Sequence, residues 1–223
     1  MRTVCRMVSR GVSRRAALGL ALAGIVAAPR RGRAAGAVPV VDEVTAPIGA
    51  LDGVLIEVMR AGKRTPFRDR FHMLAPTIDR VFDLLGILAV SVGPRWEEIE
   101  ASQQTALMGV FRRFTIASYV DNFDSYENEQ FEVEPELRAS GADQVVSTSL
   151  VSTDGDDPIR IDYVMRREAA TWKVVDVLLD GTISRVAVQR SDFRGVLAQG
   201  GAPGLIGSLE RKLTDLTGGG PES

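Results

Sequence analysis

Cysteine and histidine are almost absent from this chain of 223 residues: Cys5 and His72 are the only examples of each. One histidine cannot build a multi-histidine metal site, and a Ser-His-Asp triad would have to use His72. Cys5 has no second cysteine with which to form a disulfide. The glycine-rich phosphate-binding motifs G-x-G-x-x-G and G-x-x-x-x-G-K-[ST] are also missing. Most enzyme classes are thereby excluded, and carboxylates remain as the possible catalytic groups.

The first 37 residues differ in composition from the rest of the chain. They contain eight arginines and no acidic residue, and they include an apolar run of 13 residues from Ala16 to Ala28. A basic segment followed by a short apolar run and small residues is typical of a secretory signal. A 13-residue helix spans about 20 Å, less than the ~30 Å hydrocarbon layer, which disfavours a permanent membrane anchor. We therefore predict a cleaved signal peptide over residues 1–37.

Two adjacent arginines, Arg14 and Arg15, directly precede the apolar run in the stretch "SRRAAL". This arrangement favours a twin-arginine export signal over an ordinary secretory one. Either signal would deliver a bacterial protein to the periplasm. Without residues 1–37, 19 basic residues remain against 29 acidic ones, a formal net charge of −10. Such an acidic chain lacks the basic surface that nucleic-acid binding requires.

The rest of the chain changes from helical to strand periodicity near its middle. Apolar residues three and four positions apart predict helices in the first half, as in the run from Ile48 to Met59. Alternating apolar and polar residues in the second half predict a mainly antiparallel sheet of about four strands. Ser191 and Pro203 are expected to start C-terminal helices. The sequence thus predicts one α+β domain over residues 38–216, followed by a flexible tail over residues 217–223.

Acidic residues interrupt the last predicted strand, in the stretch "TWKVVDVLLDGTISRVAVQRSDF". Asp162, Asp176 or Asp180 could serve an enzyme that uses a carboxylate pair. The α-carbons of Asp176 and Asp180 would lie about 13 Å apart on one strand, beyond the ~5–10 Å between paired catalytic carboxyls. We therefore expect structural roles: a hydrogen bond for Asp176, a chain reversal at Asp180 and a helix cap at Ser191.

The same stretch carries a resemblance to a known family. A tryptophan strand, an aspartate, "DG", a serine and "R-x-x-F" follow one another in "WKVVDVLLDGTISRVAVQRSDF", with "LIGSLERKL" after them. Upstream, "RVFDLLGILAVSVGPRW", "FRRFTIASYVDNFDSY" and "QFEV" stand in the corresponding order. Together these segments resemble the MlaC or toluene-tolerance family of periplasmic lipid-shuttle proteins, over residues 44–216. "DGTISRVAVQRSDF" is most similar to the hopanoid-associated branch, although Gln189 stands where the family usually has a tyrosine.

This resemblance implies a lipid carrier without catalytic residues, metal or cofactor. It implies a curved sheet packed against helices, with an apolar cavity between them. The cargo, a phospholipid or a hopanoid-type lipid, would pass between a membrane-bound ABC-type transport complex and an outer-membrane lipoprotein complex. We expect a monomer. A periplasmic adaptor that binds only proteins remains an alternative, as does the carboxylate-based enzyme.

The last hairpin and the long helix before the sheet supply candidates for the cavity wall. Pairing Arg167 with Trp172 places alternate residues of the two strands on one face, with Asp176 opposite Tyr163. An apolar wall is needed because a diacyl lipid carries on the order of 30 methylenes, each costing ~0.8 kcal/mol in water. The seven candidates for lipid binding are Ile161, Tyr163, Met165, Val174, Leu178, Phe111 and Phe114.

Overall fold

The computed structural model describes residues 41–153, 155 and 157–220, so the predicted signal peptide and the last three residues lie outside the described part. Within it the architecture is α+β, as predicted. The helices are α1 (Val41–Ala61), α2 (Phe67–Val81), α3 (Leu84–Val92), a 3₁₀ helix (Gly93–Glu98), α4 (Ala101–Asn122) and α5 (Arg185–Thr217). The strands are β1 (Gln130–Val133), β2 (Arg138–Ser140), β3 (Asp143–Val151), β4 (Ile159–Glu168), β5 (Thr171–Leu179) and β6 (Ile183–Ser184). In these described ranges, no helix is both long and apolar enough to cross a membrane.

The sheet is antiparallel at every described pairing, with strand order β1-β3-β4-β5-β6. β2 pairs with β3 beside β1, along the same edge. The sequence predicted about four strands, and the two additional ones are short: β2 has three residues and β6 has two. Segments of two or three residues are too short to show an alternating pattern, which explains why the sequence did not reveal them.

The hydrophobic core lies between the helices and one face of the sheet. The helical spacing in α1 correctly predicted its buried side, because residues three and four apart lie on one face of a helix. That side includes the predicted residues Ile48, Leu51, Leu55, Val58 and Met59. From β4 the core takes alternate side chains, as expected for a strand with one face packed against helices: Ile161, Tyr163 and Met165.

An irregularity in β5 changes which of its side chains face this core. Arg167 pairs with Trp172, as predicted, and Met165 pairs with Val174. The next residue of β5, Val175, has no partner in β4, so the register shifts there by one residue. Such an extra residue is a β-bulge, and it moves the side chains that follow it to the other face.

Beyond the bulge the two faces of β5 are exchanged. Val177 lies opposite Tyr163, in the place where the sequence predicted Asp176. Leu178 lies opposite Asp162, on the face away from the core, and is only half-buried. The predicted pairing of Asp176 with Tyr163 and the predicted facing of Leu178 are therefore wrong, because strict alternation was assumed along a strand that contains a bulge.

The first turn of α5 is capped by Ser184. Its hydroxyl oxygen accepts a hydrogen bond of 2.9 Å from the backbone N–H of Ala187. The cap predicted at Ser191 is wrong, since this residue lies within the helix. α5 bends at Gly201, whose φ of 57° lies in the left-handed region that glycine tolerates best, two residues before the predicted start at Pro203.

Asp52 lies on the buried side of α1 without a hydrogen-bond partner. Only 6% of its surface is exposed, and neither carboxylate oxygen has a partner among the described residues. Burial disfavours the charged form and raises the pKa of Asp52 from 3.8 to about 7. The charge of Asp52 also helps to raise the pKa of the Tyr119 and Tyr163 phenols, after the larger effect of their own burial.

We predict that Asp52 makes the protein less stable as the pH rises. Between pH 3.8 and about 7 the folded state holds a proton that the unfolded state has released, so the free energy of unfolding falls across this range. The cost above this range is on the order of 4 kcal/mol. Asp52→Asn should therefore raise the free energy of unfolding at about pH 8 and change it little at about pH 4.

Urea unfolding across this pH range measures the difference between variant and wild type. Glu57→Gln is the matched control, because Glu57 belongs to the same helix and is exposed. Its effect should not change with pH in this range. A difference between Asp52→Asn and wild type that stays constant from acid to neutral pH would contradict the prediction.

Candidate functional site

A cavity of about 80 Å³ lies between α4, the core face of the sheet and the first turns of α5. It occupies the position that the family resemblance implied, between sheet and helices. Ten apolar side chains from the helices and strands form most of its wall. They are Phe82, Leu84, Ile87, Phe111, Phe114, Phe123, Ile161, Val177, Leu179 and Val186.

Four of the seven predicted binding residues line this cavity. Phe111 and Phe114 come from α4, and Ile161 and Tyr163 come from β4. Phe111 also packs edge-to-face against Phe193 of α5, with ring centres 6.4 Å apart. The fold thus brings the long helix and the hairpin together around one space, although the two segments are about fifty residues apart in the sequence.

The other three predicted residues lie outside the described lining. Met165 and Val174 are fully buried in the core, and they pair with each other before the bulge. Leu178 lies on the opposite face of the sheet, and Val177 and Leu179 line the cavity on either side of it in the sequence. No local signal in the sequence marks the bulge, so these two lining residues could not have been chosen over Leu178.

Polar side chains also line the cavity, and the sequence did not suggest them. The eight polar lining residues are Thr115, Ser118, Tyr119, Asn122, Tyr163, Asp176, Arg185 and Gln189. Four of them form a stripe along α4 at spacings of three and four residues, which places them on one helical face. That stripe was the available signal, but a polar helical face is normally exposed to solvent.

Asp176 connects β5 to the start of α5. Its Oδ1 accepts hydrogen bonds from the backbone N–H groups of Val177 at 2.8 Å and Val186 at 3.1 Å. Its Oδ2 accepts a hydrogen bond from the hydroxyl of Ser184. A negative charge is favourable at a helix N-terminus. Asp176 therefore has the structural hydrogen bonds expected from the sequence.

The carboxylates considered for an enzyme do not form a pair at the cavity. Asp162 is fully buried and bound to Arg138 and to Arg160, with Nε of Arg160 2.9 Å from its Oδ1. Asp180 is exposed in the turn after β5. Asp176 is the only carboxylate that lines the cavity in the described part of the chain. Among the described residues, no group of three or more His, Cys, Asp or Glu side chains is placed to hold a metal ion.

Three polar groups at the cavity lack partners among the described residues. Tyr163 is fully buried, and neither its hydroxyl nor that of Thr115 makes a hydrogen bond. Arg185 is half-buried and forms no hydrogen bond or ion pair with the described residues. Burial lowers the pKa of the Arg185 guanidinium, while the Tyr119 phenol and the Asp192 and Asp176 carboxylates oppose this effect.

Comparison with protein families matches residues 52–211 to the family described as MlaC protein. The fold is similar to a solved structure described as the phospholipid-binding protein from Ralstonia solanacearum in complex with a phospholipid. The two chains share 21% identity with a TM-score of 0.67, and the match covers 78% of this chain and 98% of that one. Comparison with curated proteins finds no match. Because the family match spans well over half of the sequence, this chain belongs to the MlaC protein family.

Proposed function

We propose that this protein is a lipid carrier that binds a phospholipid or a hopanoid-type lipid in the cavity between α4, the sheet and α5. The observation that carries the proposal is the wall of ten apolar side chains in a member of the MlaC family. The Ralstonia protein of similar fold is in complex with a phospholipid, which supports the same class of ligand here. A binding role also fits a cavity whose single carboxylate is occupied by structural hydrogen bonds.

The cavity has to widen to accept a lipid. Its volume is about 80 Å³, whereas pockets for drug-sized ligands have roughly 300–1,000 Å³. An unshielded lipid would expose on the order of 30 methylenes to water at a cost of about 25 kcal/mol, so the widened cavity has to enclose its chains. The wall comes from separate helices and strands, so these elements can move apart without any one of them being broken.

The finer assignment rests on the sequence. "DGTISRVAVQRSDF" supports membership of the hopanoid-associated branch, HpnM. The predicted signal peptide over residues 1–37, of the twin-arginine type, supports a periplasmic location. In that compartment a monomeric carrier would move its lipid between a membrane-bound ABC-type transport complex and an outer-membrane lipoprotein complex. The lipid-binding residues of this proposal include Phe111, Phe114, Ile161 and Tyr163, which line the cavity.

Protein purified from its own periplasm should carry one lipid molecule per chain. Native mass spectrometry measures the mass of this ligand and distinguishes a phospholipid from a hopanoid. An empty protein that also takes up no lipid from vesicles would overturn the proposal. Co-purification with other proteins but not with lipid would instead favour the adaptor that binds only proteins.

Two valines of α5 provide a matched test of the cavity. Val186 lines it and is 9% exposed, whereas Val188 is 38% exposed and lies outside the lining. A phenylalanine at the first position would occupy space that the lipid needs, and overpacking typically costs about 1–3 kcal/mol. We therefore expect Val186→Phe to reduce lipid uptake by roughly tenfold.

Val188→Phe should leave lipid uptake at the wild-type level. Uptake is measured with labelled vesicles, and thermal unfolding of both variants checks that they are folded. If folded Val186→Phe takes up lipid as well as Val188→Phe does, the assignment of this cavity as the lipid site is wrong.

A further inference from the structure

Helix α3 separates the cavity from solvent on one side. Leu84 and Ile87 of this helix line the cavity. Leu85 and Val90 of the same helix each have half or more of their surface exposed. α3 contains no charged residue, so its packing is almost wholly apolar. This wall of the cavity is therefore only one helix thick, and an outward movement of α3 would open it.

The two ends of α3 are held differently. At its start, the backbone N–H of Asp83 donates a hydrogen bond of 3.0 Å to the carbonyl oxygen of Val174 in β5. The carboxylate of Asp83 also caps the helix, accepting a hydrogen bond of 2.8 Å from the backbone N–H of Gly86. At its end, Gly93 has a φ of 78°, which glycine tolerates best, and such terminal residues can absorb large φ and ψ changes. The start of α3 is thus fixed to the sheet, and its end is the part that can move.

Ser91 makes the only polar side-chain contact between α3 and another helix in the described part of the chain. Its buried hydroxyl donates a hydrogen bond of 2.7 Å to the carbonyl oxygen of Ile87, one turn earlier. The same hydroxyl oxygen lies 3.3 Å from Oε1 of Gln189 in α5, a residue that lines the cavity. A hydroxyl has one hydrogen and cannot donate it fully to two acceptors at once. The bond between α3 and α5 is therefore weak, and it lies at the movable end of α3.

Other elements around the cavity are attached more firmly. The guanidinium of Arg112 in α4 donates two hydrogen bonds of 2.7 Å to the carboxylate of Asp79 in α2. The start of α5 is attached to β5 through Asp176, which accepts hydrogen bonds from the backbone N–H of Val186 and from the hydroxyl of Ser184. Each of these attachments has two hydrogen bonds, against one weak bond at the end of α3. When the cavity widens, α3 is therefore the element that separates most easily.

We propose that α3 is a lid over the cavity and that the contact between Ser91 and Gln189 is its latch. The lid pivots at Asp83, and the latch opens at the other end of a helix of nine residues, about 13 Å away. Leu84 and Ile87 can exchange their contacts with the wall for contacts with lipid chains, because the hydrophobic effect is non-directional. The inference rests on the proposed carrier function and adds to it the place where a lipid enters and leaves.

Loss of the latch should make lipid uptake faster. We expect Ser91→Ala to take up pyrene-labelled phosphatidylglycerol from phosphatidylcholine vesicles about two- to tenfold faster than wild type, the range that corresponds to one hydrogen bond. Gln189→Leu removes the same contact from the other side and should have a similar effect. Because both substitutions break one contact, the double variant should be no faster than either single variant. Stopped-flow fluorescence of the pyrene label measures these rates.

Thr105→Val is the matched control for the loss of a helical hydroxyl. The exposed Thr105 of α4 donates a hydrogen bond of 2.9 Å to the carbonyl oxygen of Ala101, the same kind of bond to the preceding turn that Ser91 makes. Among the described residues its hydroxyl makes no contact with another helix. Thr105→Val should therefore take up lipid at the wild-type rate.

Amide hydrogen exchange, followed by mass spectrometry, tests the lid without any lipid. A helix of nine residues is marginal once it leaves its packing, so the amides of α3 exchange with water when the lid opens. In wild type, α3 should therefore exchange faster than α4. In Ser91→Ala the exchange of α3 should rise further, while that of α4 stays the same and shows that the variant is folded.

The outcomes separate the lid from the carrier function. If wild type takes up lipid and neither Ser91→Ala nor Gln189→Leu is faster, the latch is overturned while the carrier function stands. Additive acceleration in the double variant would also overturn the latch, because the two residues would then act separately. If wild type takes up no lipid, the carrier function fails. The lid fails as well if the amides of α3 exchange no faster in Ser91→Ala than in wild type.

Discussion

The bulge at Val175 is the constraint on which the geometry of the cavity depends. Because this residue has no partner in β4, every later residue of β5 exchanges faces. Val177 and Leu179 thereby join the apolar wall, and Asp176 reaches the first turn of α5. In a regular strand, Leu178 would face the core in their place. One unpaired residue thus decides which side chains of β5 form the apolar wall.

The connection between Asp176 and α5 explains how a carboxyl group is tolerated beside so many apolar side chains. Removing a carboxyl group even partly from water is costly unless its oxygens are hydrogen-bonded. Asp176 accepts from two backbone N–H groups and from Ser184, so its desolvation is compensated locally. The same bonds hold the helix start against the sheet, and they thereby place Arg185 at the cavity. The hydrogen bonds of Asp176 therefore also position Arg185.

The proposed carrier function requires a lipid to be both bound and released, and a perfectly packed interior would not allow this. Asp52, Thr115 and Tyr163 each contain a buried oxygen without a described partner. Such groups lower the stability of the fold, and departures of this kind concentrate where a protein functions. The Asp162 pairs with Arg138 and Arg160, on the face of the sheet away from the core, show the contrasting case of a buried charge that is fully compensated.

Local patterns in the sequence determined the α+β class, the buried side of α1 and the pairing of Arg167 with Trp172 in the last hairpin. These features follow from the periods of helix and strand, which neighbouring residues express directly. The resemblance to the MlaC family predicted the cavity between the sheet and the helices. Four of the residues predicted to bind lipid, on α4 and β4, line this cavity.

Only the tertiary structure decided the rest of the site. The bulge depends on how β5 pairs with β4, so alternation along β5 alone wrongly placed Leu178 in the wall. The polar stripe of α4 looks like a solvated face until α5 and the sheet are packed against it. Arg185 becomes a cavity residue where Asp176, nine positions earlier in the chain, accepts a hydrogen bond from the backbone N–H of Val186. Each of these features arises from contacts between separate segments, and such contacts leave no periodic signal in either segment by itself.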